Sequence, residues 1–177
     1  HVARSSNGEF VVVWDSLTST GTDSDTWSVQ GQRFNADGSP SGTEFQVNTY
    51  TTGGQRLPRV AAGGAGEFVV VWQSQGSGAN DTAGYSIQGQ RYSGTGVPQG
   101  GEFQVNALTT DDQFNPSVAV EAGGSFWVVF QTNGAVGGDP DGSIQARLYF
   151  ASGVPVEPQE LTLNSSVIGS QQNPRVA

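Results

Sequence analysis

The seven residues GEFVVVW stand at positions 8–14 and recur, letter for letter, at 66–72. The period of 58 residues that they define constrains the fold more than any other feature of the chain. Three apolar runs open at Phe10, Phe68 and Phe126 and end at Trp14, Trp72 and Phe130. SVQGQRF (28–34) is matched by SIQGQRY (86–92) and, after a one-residue deletion, by SIQARLY (143–149). EFQVN occurs at 44–48 and 102–106 and becomes ELTLN at 160–164. QRLPRVA (55–61), QFNPSVA (113–119) and QQNPRVA (171–177) close the three units, and Val2-Ala3 fits the same place. The repeats divide the chain into 1–61, 62–119 and 120–177, with its two ends in the same phase of the period. That shared phase is the mark expected of a piece of a longer array, or of a unit that joins end to end.

A unit of this size buries little core alone, so neighbouring units must cover one another's apolar faces. The apolar blocks are short, rich in Val, Phe, Trp and Tyr, and separated by Gly-rich turns. No segment carries a sustained helical period, so the expected class is all-β. In GEFVVVW, Phe10, Val12 and Trp14 face one way and Val11 and Val13 the other. A strand apolar on both faces belongs between two layers. WSVQGQRF, EFQVN and LPRVA supply three more strands per unit, with Asp37-Gly38 in a hairpin turn. Pro58 is expected at a strand start, where a missing N–H is tolerated.

Four-stranded sheets covered on both faces predict three blades of the β-propeller type. The alternative is a β-trefoil, whose three units of four strands close on one barrel. Three blades fall short of the roughly four to eight that close a propeller. The expected resolutions are a six-bladed ring of two chains, a fragment of a larger propeller, or an open head-to-tail filament.

The chain has no cysteine, which excludes disulfides and thiolate metal sites. Its net charge is −9, and all seven basic residues are arginine. Without basic clusters, neither nucleic acid nor an anionic membrane surface is expected as a partner. No apolar run approaches the ~20 residues of a membrane span.

VVVW, GQRF, EFQVN and P-x-V-A together resemble a repeat of large secreted proteins of marine and other environmental bacteria, whose pattern runs FVVVWQS…GIFGQRFD…EFQVNT…PSVA. The resemblance covers the whole chain, three times over. It implies an extracellular or cell-surface place and a role in adhesion or surface architecture. Calcium-binding nonapeptide tracts often accompany such repeats; this chain has none. The third repeat departs most, with FWVVF for FVVVW and ARLY for GQRY.

The candidate functional residues lie in the long loops. Asp23, Asp81 and Asp139 share one repeat position, and Asp25 and Asp141 share another. Carboxylates two residues apart in a Gly-rich loop suit calcium, which takes ~6–8 oxygens. Trp27 and Tyr85 offer rings on which a sugar would stack. The plainer reading is that the aspartates order their loops by Asx-type hydrogen bonds. Asn48, Asn106 and Asn164, with Gln55, Gln113 and Gln171, are expected as buried amides tying turns to strands. The only histidine is His1, and the aspartates recur with the repeats, whereas an active site is usually singular. The expected function is therefore a non-enzymatic structural or adhesive module that associates with itself or with further repeats. A glycan-binding module with one calcium-assisted loop site per repeat is the alternative.

Overall fold

The computed structural model describes residues 1–17, 19, 21–78, 81, 84–134, 141–166 and 168–177. The described residues hold strands and no helix. Sheet 1 contains β1 (Val2–Arg4), β2 (Phe10–Ser16), β3 (Ser28–Phe34) and β4 (Phe45–Gln46). Sheet 2 contains β5 (Gln55–Ala62), β6 (Phe68–Gln75), β7 (Tyr85–Tyr92) and β8 (Phe103–Gln104). Sheet 3 contains β9 (Gln113–Val120), β10 (Phe126–Thr132), β11 (Ser143–Tyr149) and β12 (Leu161–Thr162). Each is an antiparallel meander in chain order. No strand of one sheet pairs with a strand of another among the described residues, so the single barrel of the trefoil alternative is not built.

One expectation is corrected. PRVA does not close its own repeat; it opens the next sheet. Val60 pairs with Val70, and Ala61 with Val69, across a tight Gly63–Gly66 turn. The sheets therefore start at Gln55 and Gln113, inside the frames 1–61 and 62–119. A short hairpin recruits the strand that follows it more readily than a long loop recruits the strand before it. Nor does Pro58 start its strand: it lies in a bulge between Arg56 and Arg59, where Leu57 has φ 55°. A bulge leaves a residue unpaired, so the missing N–H costs no ladder bond.

The sheets pack face to face. Val11, Val13, Val29 and Val47 of sheet 1 meet Val60, Phe68, Val70, Trp72 and Tyr92 of sheet 2. The second junction repeats the first: Val69, Val71, Ile87 and Val105 meet Val118, Phe126, Val128, Phe130 and Tyr149. In β6, therefore, Phe68 to Trp72 are all buried, whereas in β2 only Val11 and Val13 are. Sheet 2 is covered on both faces; sheet 1 is covered on one.

The third repeat's departures are coupled. Phe45 lies across Gly31 and Phe103 across Gly89, where a Cβ would fall 2.7 Å and 2.6 Å from the ring. In sheet 3 the paired residues are Ala146 and Leu161. Glycine gives way to alanine where the aromatic ring gives way to leucine.

Phe68 stacks on Tyr92 at 4.7 Å and Phe126 on Tyr149 at 4.8 Å, as Phe10 does on Phe34. Burial, helped by the Glu102 charge, raises the Tyr92 phenol well above its ordinary value. Burial pushes Tyr149 up to about 12, with Arg147 opposing the shift and Glu160 adding to it. A raised phenol is stabilising while it keeps its proton, fully so below the unfolded tyrosine value near pH 10. That contribution is lost as the pH rises through about 12. We expect alkaline unfolding in this window by circular dichroism, and a shift of its midpoint to higher pH in Tyr149→Phe.

Candidate functional site: the loop network and the sheet junctions

At the loop end of sheet 1, Asn48 is 2% exposed. Its Oδ1 accepts from Val29 N at 2.8 Å, and its Nδ2 faces Asp23 Oδ2 at 2.7 Å, Tyr50 O at 2.9 Å and Gln55 Oε1 at 3.3 Å. Asn106 repeats this: Oδ1 accepts from Ile87 N at 2.8 Å, and Nδ2 faces Asp81 Oδ2 at 2.7 Å, Leu108 O at 2.7 Å and Gln113 Oε1 at 2.9 Å. Asn164 accepts from Ile144 N and donates to Ser166 O and Gln171 Oε1. One amide thus joins the long loop, the end of the outer strand and the start of the next sheet. The amides tie turns to strands as expected from the sequence.

The structure places Asp23 and Asp81 in these networks, buried at 3% and 0% exposure. Asp25 N donates to Asp23 Oδ1 at 3.3 Å, while the Asp25 carboxylate accepts from Gly53 N at 2.7 Å, and Asp141 Oδ2 accepts from Gly169 N at 3.2 Å. Asp139 falls outside the described residues. Among the described residues, no three acidic or histidine side chains gather at one point. Trp27 is half-buried, with the Arg56 guanidinium over its ring at 4.4 Å, and Arg56 also meets Asp15 at 3.2 Å. Tyr85 is half-buried, and its N donates to Asp112 Oδ1 at 2.9 Å.

Two sets of residues that the sequence reading passed over hold the sheets together. Glu102 of sheet 2 reaches back to sheet 1, where its Oε2 accepts from Thr49 N at 2.6 Å, Thr49 Oγ1 at 2.8 Å and Tyr50 N at 3.1 Å. Glu160 of sheet 3 accepts likewise from Ala107 N and Leu108 N. In the other direction, Arg33 donates to Gly94 O and Thr95 O, and Arg91 donates to Ala151 O. Burial lowers the Arg91 guanidinium from its ordinary value. The signal was present: a Glu opens EFQVN, EFQVN and ELTLN alike, and an Arg precedes the aromatic of GQRF and GQRY. A charge that recurs with the period is a junction contact as readily as a solvated side chain.

The same two half-junctions stand open at the ends of the stack. The outer face of sheet 1 presents Val2 (57% exposed) with half-buried Phe10, Val12, Trp14 and Phe34. The outer face of sheet 3 presents Leu161 (56%) and Leu163 (51%). They line a groove of about 560 Å³ with Trp127, Val129, Ala146 and Val176. Sheet 3 also lacks the forward Arg: Leu148 pairs with Trp127 where Arg33 pairs with Val11.

No protein-family model matches the chain, and no curated protein matches it. Among solved structures it is similar to a protein of unknown function from Dyadobacter fermentans DSM 18053. That protein is 11% identical with a TM-score of 0.55, and the match covers 91% of this chain. The chain spans about half of that neighbour, 52% of its length, and the likeness is one of fold.

Proposed function

We propose that the chain is a non-enzymatic structural module of an extracellular or surface assembly. Its sheets serve as propeller-type blades, and its work is to join further sheets of the same kind. One observation carries the reading: a single face-to-face junction is built twice from matching residues, and its two halves recur, open, at the ends of the stack. Exposed apolar area of this extent is the mark of an interaction surface. Two chains joined at both ends make six blades, within the ~4–8 that close. The two junctions are then heterologous and related by a twofold axis. A structural neighbour of about twice the matched length supports a larger array.

Replacing Leu161 with Glu tests this. By light scattering, the parent chain is expected at twice its 18.4 kDa. The variant is expected at the single-chain mass with an unchanged circular dichroism spectrum. A parent chain and variant of equal mass would oppose the reading.

A further inference from the structure

Residues 171–177 hold the repeat position of β5 and β9 but pair with no strand among the described residues. Asn173 has φ 57°, matching Leu57 at 55° and Asn115 at 54°, the bulge residues of β5 and β9. A left-handed β-strand bulge at a non-glycine residue is an uncommon conformation, and here it recurs at one repeat position. Val176 N donates to Ser117 Oγ at 3.3 Å, just as Val60 N donates to His1 Nδ1 at 3.3 Å. Gln171 meets Asn164 as Gln55 meets Asn48. Residues 171–177 are thus held against sheet 3 in the place that β5 takes against sheet 1. Among the described residues no strand pairs along them: they belong to none of the three sheets.

A second half-contact is open. Glu44 holds the repeat position of Glu102 and Glu160, yet it is exposed and has no hydrogen bond or ion pair among the described residues. The backbone positions that match Thr49–Tyr50 and Ala107–Leu108 on sheet 3 are the exposed Ser165 and Ser166. The free carboxylate lies on sheet 1, and the free receiving backbone lies at the far end of the stack.

Resting on the self-association reading above, we infer that residues 171–177 are the first strand of a composite sheet. Its other three strands are β2, β3 and β4 of a second copy, and Glu44 of that copy binds the Ser165–Ser166 backbone. The register follows from β5 on β6, where Gln55 pairs with Ser74, Arg56 with Gln73 and Val60 with Val70. It sets Gln171 opposite Ser16, Gln172 opposite Asp15 and Val176 opposite Val12 of the second copy. β1 pairs with Val12, Val11 and Phe10 alone, so the longer incoming strand displaces it. This is strand addition at a sheet edge with side-chain register as its specificity. Leu161 and Leu163 then cover Phe10, Val12 and Trp14 of the second copy, as Phe103 and Val105 cover sheet 3.

The chain has no cysteine, so a Cys pair reports one contact. Glu44→Cys and Ser165→Cys chains, one carrying a mass tag, are mixed under mild oxidation. We expect a disulfide between the two kinds of chain and none in either alone. Glu44→Gln should weaken association by roughly ten- to hundredfold, since the amide oxygen still accepts but the charge that strengthens those hydrogen bonds is gone. Asn173→Pro should abolish it with the single chain still folded, because proline holds φ near about −65°. Association that survives both substitutions, with no mixed disulfide, would overturn this junction and leave end-to-end assembly standing. Absence of any association in the parent chain would overturn both. A ladder of disulfide-linked oligomers in the Glu44→Cys/Ser165→Cys double variant would support the junction and overturn closure at two chains.

Discussion

Asn106→Ala is expected to cost about 3–5 kcal/mol, a large share of the ~5–15 kcal/mol that holds a domain of this size. The side chain is 2% exposed, and its removal takes a hydrogen bond from three groups at once. Ile87 N loses its acceptor, Gln113 Oε1 loses its donor, and the buried Asp81 carboxylate loses its amide. Asn164→Ala deletes the same bonds to Ile144, Ser166 and Gln171, but in half-open surroundings. It should cost about 1 kcal/mol, the net worth of an ordinary hydrogen bond. Urea unfolding of the two variants checks the contrast. Equal losses would mean that the network is not what makes the middle of the stack rigid.

The second large effect separates two tryptophans at one repeat position. Trp72 is 0% exposed between sheets 1 and 2, and Trp72→Ala should cost about 3–5 kcal/mol through the cavity it leaves. Trp14, on the open face of sheet 1, is half-buried, and Trp14→Ala should cost about 1 kcal/mol in the dissociated chain. Trp72 Nε1 has no hydrogen-bond partner among the described residues, and Phe130 stands at the matching place in sheet 3. Trp72→Phe should therefore be far milder than Trp72→Ala, because the lost volume is offset by relief of a buried donor. Thermal unfolding of the three variants reports the order.

Much of the fold was legible because one physical signal was written three times. FVVVW is apolar on both faces, and the burial of every residue from Phe68 to Trp72 is what that pattern demands of a middle layer. Strand membership was less legible. PRVA reads the same as a last or a first strand, and only the lengths of the flanking connections decide between them. The loop chemistry was half legible. Asp23, Asn48 and Gln55 each recur with the period, but sequence spacing does not show that they meet at one point. Their separations of 25 and 7 residues became a contact once the outer strand folded back beside the long loop. Glu102 and Arg33 were the least visible. An exposed-looking charge reads as solubility until the neighbouring sheet is in place to receive it.

The central claim is that the open faces of sheets 1 and 3 take up another copy of this chain. Sedimentation velocity over a dilution series from about 100 µM to 1 µM tests it most directly, since a micromolar junction crosses its midpoint within that range. The account predicts a boundary that moves from a discrete dimer to the 18.4 kDa chain on dilution. A single, folded, monomeric boundary at every concentration would contradict it.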